Sequence, residues 1–348
     1  MYKKKFFLTI LILLCSIIVI IGTYIFVKGN ILRKKTVYKL EKSVAVYIPW
    51  WDQDDAFTSL KENSEYIRII HPFWYEVKND GSISKFTGAE DEDIIKFCKD
   101  NDILIIPAIS NEQDPDTLNK IFISQELTST HIKNISDLIE SNDYDGIDID
   151  YESMNAQDRD NFSNFITLLS NELSKEDRML TVAVHAKTSD YGTWDGPASQ
   201  DWGVLNTYAD RINIMAYDYH WSTSEAGDIA PLSWIREVLS YAVTVIDEEK
   251  ISLGVHTYGY DWVDKTSESY TYKSIQELID DNGVTEITMS DEYEKYFTYD
   301  DNHTVYFADA STLSKRLELI QEYNISGISI WRIGDEDMNI WVEIANQL

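Results

Sequence analysis

Asp148, Asp150 and Glu152 alternate along the segment Asp145-Gly-Ile-Asp-Ile-Asp-Tyr-Glu152, and this spacing carries the clearest chemical signal in the chain. In an extended strand successive side chains face opposite ways. The three carboxylates therefore share one face, while Ile147, Ile149 and Tyr151 share the other. Crowded carboxylates repel, and one of them holds its proton to a higher pH than a free acid does. A fold accepts that cost where it needs an acid and an anion side by side. The alternative is an edge strand whose acidic face is simply wet. The surroundings of the segment decide between the two.

Beyond residue 42, short apolar runs alternate with longer stretches of helical spacing. The runs fall at 44–49, 66–72, 103–109, 146–151, 180–185, 212–216, 251–255 and 327–331. Helical patterns fall at 91–99, 117–140, 157–173, 231–245 and 311–323. Eight strands with helices between them predict an α/β fold, a parallel (β/α)8 TIM barrel spanning 43–348. One connection, about 262–307, is too long for a loop and a helix. Its helical piece at 274–281 and β-like pieces at 286–289 and 304–307 predict a small α+β insertion between strands 7 and 8.

Active sites of such barrels lie where the strands' C-terminal ends open into loops. Glu152 closes the fourth run and should face that opening, with Asp150 and Asp148 progressively deeper. The sixth run ends Met215-Ala-Tyr217-Asp218-Tyr219-His220-Trp221, and the eighth ends at Trp331. Trp50, Trp51, Trp74, Trp221, Trp262 and Trp331 all fall at or just past strand ends. Flat aromatic faces suit the C–H faces of pyranose rings. The same rings could instead cap the barrel core, but six at one end favour a carbohydrate cleft.

The segment Asp145-Gly146-x-Asp148-x-Asp150-x-Glu152 resembles the strand-4 signature of glycoside hydrolase family 18, the chitinase-type hydrolases. The run Met-Ala-Tyr-Asp at 215–218 is similar to that family's strand-6 motif, and Trp331 matches its strand-8 tryptophan. The phrases at 71–77, 229–232, 258–262 and 327–331 look most like the bacterial spore-germination and cortex-lytic branch. The resemblance covers about 43–348. It implies a retaining mechanism in which the substrate's own 2-acetamido oxygen is the nucleophile. Glu152 would protonate the glycosidic oxygen, and Asp150 would orient the acetamido group and stabilise the oxazolinium ion. Asp148 would share a proton with Asp150, and Tyr217 would hydrogen-bond the acetamido oxygen. Asp218 would bind sugar near the cleavage point, and Trp331 would floor the subsite of the reacting ring. Trp74, Trp221 and Tyr258 are further candidate sugar contacts. No metal and no cofactor are implied.

The sequence departs from that family where Ser-x-Gly-Gly is usual after strand 3, reading Ala108-Ile-Ser110-Asn111, so Ser110 is given no role. His185 and His256 stand where proline is expected. Each is either a satisfied core histidine or a rim residue touching sugar.

Residues 6–27 form an uncharged, mostly apolar run of 22 residues behind Lys3, Lys4 and Lys5, long enough to span a bilayer. No small-residue cleavage site follows, which favours an uncleaved anchor over a signal peptide. A basic stalk at 28–42 comes next. Positive charge flanks the run on both sides, so placing 43–348 outside the cell rests on function and not on charge. Of the 30 basic and 60 acidic residues, nine and one fall in 1–42, leaving 21 against 59 beyond. That net of −38 disfavours nucleic acid and anionic lipid surfaces, but a neutral polymer such as an N-acetylated glycan remains a good partner. Cys15 lies in the apolar run and Cys98 is the only other cysteine, so 43–348 holds no internal disulfide. Two competing classes remain: a catalytically silent carbohydrate binder, which would lack Glu152 or Asp150, and a carboxylate-bound metal hydrolase. The second suits the geometry poorly, because alternate residues climb a wall instead of encircling an ion.

Overall fold

Strands that are buried on both faces read as continuous apolar runs, and all seven residues of the first strand, Ser43–Pro49, are buried. A computed structural model describes residues 42–111, 114–300 and 302–348. The first strand pairs in parallel with the second, Ile69–Val77, and with the eighth, Gly327–Trp331, which closes the sheet into a barrel. Around the ring, the third strand is split into Leu104–Ile105 and Ala108–Asn111, and the fourth is Gly146–Asp150. Met179–His185, Arg211–Met215 and Ile251–His256 are the fifth, sixth and seventh. The predicted (β/α)8 barrel is therefore present. The predicted span at 6–27 and the stalk up to residue 41 lie outside the described residues. Among the described residues, no helix is long and apolar enough to cross a membrane.

Lys42, expected at the end of the stalk, instead fastens to the barrel: its Nζ donates to the carbonyl of Ile325 at 2.7 Å, just before the eighth strand. The segment 117–140 reads as one helix but forms two, Pro115–Ile123 and Gln125–Asn142. Ser124 between them is extended, and its Oγ caps the second helix by accepting from Leu127 N at 3.3 Å. Both helices keep apolar faces on the core, Ile121 and Phe122 on one and Ile132, Ile135 and Ile139 on the other.

Gly146 opens the fourth strand because nothing larger fits. A Cβ there would lie 2.2 Å from the carbonyl oxygen of Met179 on the fifth strand. Backbone cannot swing aside as a side chain can, so Gly146→Ala must force two paired strands apart. The expected loss is about 3 kcal/mol of stability, the upper end for overpacking, read as a lower urea midpoint.

The insertion is a five-stranded antiparallel sheet with the helix Tyr272–Asp281 packed on a small core of Ile275, Phe297, Val305 and Phe307. Its first strand, Tyr258–Val263, begins two residues past the seventh barrel strand, earlier than the sequence indicated. Tyr258 and Tyr260 thus belong to the insertion while standing at the barrel mouth.

Candidate active site

The fourth strand sits between the third and the fifth, so it is not an edge and its acidic face is not a wet one. Ile147, Ile149 and Tyr151 point outward under the helices. Tyr151 stacks on Phe165 and shares a 2.6 Å hydrogen bond with His131 Nε2. The other face carries the three acids up the inside of the barrel. Asp145, just before them, is a fastener: its carboxylate accepts from Ile105 N at 2.9 Å and ties the fourth strand to the third.

Asp148 is fully buried, and donors converge on its carboxylate. Tyr47 OH donates to Oδ2 at 2.9 Å, Asn213 Nδ2 to Oδ1 at 3.2 Å, and Thr181 Oγ1 to Oδ1 as well. His71 lies against the Tyr47 ring, and its Nδ1 donates to the carbonyl of Ile106 at 2.9 Å. Burial holds the His71 imidazole below its ordinary pKa, so it adds no positive charge beside Asp148.

Asp150, one step higher, has the opposite environment. Its Oδ1 is buried and has no hydrogen-bond partner among the described residues. Burial, then the charges of Glu152 and Asp148, push its carboxyl well above the ordinary carboxylate range. The two acids differ because one is surrounded by donors and the other is left bare. A bare, buried carboxyl costs stability unless a ligand group completes it.

Glu152 stands exposed at the rim, held by its backbone. Its N–H donates to Asn111 Oδ1 at 2.9 Å, and its carbonyl accepts from His185 Nε2 at 3.2 Å. Asn111 also donates from Nδ2 to the carbonyl of Ser153 at 2.9 Å. Sequence reasoning missed Asn111. The available signal was the departure from Ser-x-Gly-Gly, since asparagine is the residue there able both to accept and to donate. Its neighbour Ser110 only returns to the second strand, at Tyr75 O.

Tyr217 and Asp218 follow the sixth strand. Burial, with Glu152 and Asp150 nearby, raises the Tyr217 phenol far above its ordinary pKa, so it remains a hydroxyl donor. Asp218 takes a left-handed backbone, φ +58°, and its Oδ1 accepts from Tyr258 OH at 2.5 Å and Tyr260 OH at 3.2 Å. Trp331 closes the eighth strand among the rings of Tyr47, Phe73 and Trp51, at centroid distances of 5.5, 5.7 and 6.3 Å.

The tryptophans divide. Trp51 and Trp221 are exposed, and Trp50 and Trp331 are half-buried at the mouth. Trp74 does not join them. It is fully buried, packs on Tyr144 and donates from Nε1 to Gln53 Oε1 at 2.6 Å, so it cannot meet a sugar. His71 pairs with the inward-facing Tyr47, so strand alternation turns Phe73 inward against Trp331 and Trp74 outward under the helices. Trp262 is buried too, bonding the carbonyl of Trp221 from Nε1 at 3.3 Å.

The two histidines also part company. His185 is at the rim, bonded to Glu152. His256 is buried beside Tyr217 and Tyr258, with its Nε2 3.5 Å from Glu294 Oε1. Glu294, on the insertion and 0% exposed, had no sequence signal at all. It accepts from Ile229 N at 2.6 Å, Ala230 N at 2.8 Å and Arg316 Nη2 at 2.8 Å. It thereby clamps the loop that follows Tyr217 and Asp218 onto the insertion. Burial outweighs the Arg316 charge and pushes Glu294 from 4.5 up to about 7. A raised carboxyl pKa means the folded chain holds the proton more tightly than the unfolded one. Its contribution to stability is complete below about 4.5 and is lost as pH rises through about 7. Melting temperatures of Glu294→Gln across that window should fall less steeply with pH than those of the parent.

Among the described residues, no group of three or more His, Cys, Asp or Glu side chains is placed to hold a metal ion. A closed parallel barrel with an acid ladder at its fourth strand and aromatic walls at its mouth defines the glycoside hydrolase class. Residues 43–337 match the family described as glycosyl hydrolases family 18, and the chain belongs to that family. Its relatives include the sporulation-specific glycosylase YdhD of Bacillus subtilis, 33% identical over 58% of this chain and 50% of that one. The chain thus spans half the length of that relative. The cortical fragment-lytic enzyme of Bacillus subtilis is 23% identical over 82% of this chain and 69% of its own. A chitinase structure from Chromobacterium violaceum superposes with a TM-score of 0.82 at 23% identity, covering 88% of this chain and 98% of that one, a likeness of fold.

Proposed function

We propose that the chain is a retaining glycoside hydrolase that cleaves β-1,4-linked N-acetylglucosamine glycans, in peptidoglycan, with the substrate's acetamido group as nucleophile. The observation that carries this reading is the contrast between Asp148, surrounded by donors, and Asp150, buried with an unpartnered oxygen beside the exposed Glu152. An acetamido N–H is the kind of group that completes Asp150. Once the ring closes to an oxazolinium, the same carboxyl, deprotonated, opposes its positive charge. Tyr217 OH donates to the acetamido oxygen, and Glu152 gives its proton to the departing glycosidic oxygen. Trp331 and its aromatic neighbours hold the reacting ring; after the leaving sugar departs, a water molecule, deprotonated by Glu152, attacks the anomeric carbon and opens the oxazolinium.

Peptidoglycan over chitin is supported by the relatives named for sporulation and for lysis of cortical fragments. A tether through residues 6–27, with the barrel outside the membrane, fits a wall polymer and is part of the same proposal. Digestion of purified peptidoglycan, with the muropeptides read by mass spectrometry, tests the substrate. New N-acetylglucosamine reducing ends are expected. Release of fragments from chitin oligomers alone would overturn the peptidoglycan assignment.

A further inference from the structure

The loop that follows the fifth strand carries two of the most exposed aromatic side chains in the described residues, Tyr191 at 64% and Trp194 at 56%. Neither has a role in the chemistry above. Yet the loop beneath them is braced at a cost that simple surface packing does not need. Lys187, 2% exposed, turns its ammonium inward to the carbonyls of Asp190 at 2.6 Å, Pro197 at 3.2 Å and Gln200 at 2.5 Å. Burial pushes that ammonium down to about 8. Arg159, at the start of the helix Arg159–Leu173 that precedes the fifth strand, supports the loop by bonding Asp190 Oδ1 at 2.6 Å, Asp201 Oδ2 at 2.9 Å and the carbonyl of Ala198 at 3.0 Å. A cation buried to fix three carbonyls gives the loop its shape before any ligand arrives, which lowers the ordering cost of binding.

The bracing reaches the acid. Gln200, fully buried, accepts from His185 N at 2.8 Å and donates to the carbonyl of Tyr151 at 3.3 Å. His185 donates to the carbonyl of Glu152 and presents its ring to Trp194 at 4.5 Å. Gly196 completes the stack, because a Cβ there would lie 2.3 Å from the Trp194 ring and 2.7 Å from His185. Glu152, His185, Trp194 and Gly196 thus form one rigid succession from the acid to an exposed indole.

We propose that Trp194 is the platform for the sugar on the leaving-group side of Glu152, a specificity-determining contact for extended glycans. This rests on the hydrolase reading above. The direction follows from the ring of strands: the fourth and fifth are neighbours on the wall facing the eighth, so Trp194 stands on the acid's side of the mouth, across from Trp331. With the reacting ring on Trp331, the sugar beyond the acid is the one that departs, and the exposed indole offers it a flat apolar face.

The experiment compares two substrates, a hexamer of N-acetylglucosamine and an aryl glycoside of its disaccharide, with the parent, Trp194→Ala and Trp194→Phe. The aryl group is too short to cover the platform as a sugar chain does. Trp194→Ala should lower kcat/KM on the hexamer, relative to the aryl glycoside, by about tenfold, mainly through KM. Trp194→Phe should restore most of that ratio, and melting temperatures confirm that each variant folds. An unchanged ratio in Trp194→Ala overturns the platform while leaving the hydrolase intact. If the parent cleaves neither substrate, the hydrolase reading fails on its own. Calorimetry with the same hexamer then decides the platform, and equal affinity in the parent and Trp194→Ala overturns it.

Discussion

Glu152→Gln lowers turnover of N-acetylglucosamine oligomers by about 10²–10⁴, the usual range for loss of a general acid, while their affinity stays close to that of the parent. Glutamine keeps the shape and the polarity of the side chain but has no proton to give the leaving oxygen. The fold should not register the change. Glu152 is held by its own backbone, through Asn111 and His185, and its exposed carboxylate anchors nothing else among the described residues. Single-turnover kinetics with calorimetric binding on the same oligomers checks both halves. Retained turnover would remove Glu152 from the acid role. Loss of turnover together with loss of binding would make it a binding residue instead.

Asp150→Asn costs activity and gains stability. Its side chain touches the reacting group in the proposed mechanism, and asparagine can still bond an acetamido group but cannot neutralise an oxazolinium. A fall in kcat of about 10²–10³ is expected, in line with losing one preorganised electrostatic partner. Stability moves the other way because a buried carboxyl with an unpartnered oxygen is replaced by a neutral amide. The sign of the pH effect follows from the raised carboxyl of Asp150. In the parent, its contribution is complete below the ordinary value of 3.8 and is lost as pH rises beyond it. The melting-temperature gain of Asp150→Asn over the parent should therefore be larger at pH 7 than at pH 4. Equal melting temperatures at both values would mean that Asp150 is not held in the strained state inferred from its surroundings.

The relation between these two residues is legible in the sequence. Alternation along a strand is a local property, and residues 148, 150 and 152 share a face whatever the rest of the chain does. What separates their roles was not legible. Tyr47 and Asn213 reach Asp148 from 101 and 65 residues away, and no pattern near the ladder announces them. The supports at the rim have the same character. Asn111 lies 41 residues from Glu152, and Glu294 lies 65 from the loop it clamps.

The tryptophans show the limit in another form. Position at a strand end places a side chain near the mouth, but which way it faces depends on register. The pairing of His71 with Tyr47 sets the phase of the second strand, and that phase puts Phe73 inside and Trp74 outside. His185 and His256 occupy equivalent strand ends, and only the packing of the insertion sends one into the interior and leaves the other at the rim.

By itself, then, the sequence determined the quantities that depend on short spacing. These are the eight strands, the presence of the insertion and the ladder of acids with its exposed end at Glu152. The tertiary structure alone decided which carboxylate is surrounded by donors and which is left bare, and which aromatic faces meet solvent. The physical reason is one of range. Strand period and chain direction are set within a few residues, whereas desolvation and hydrogen bonding at Asp148, Asp150 and Glu152 come from groups brought together only when the barrel closes.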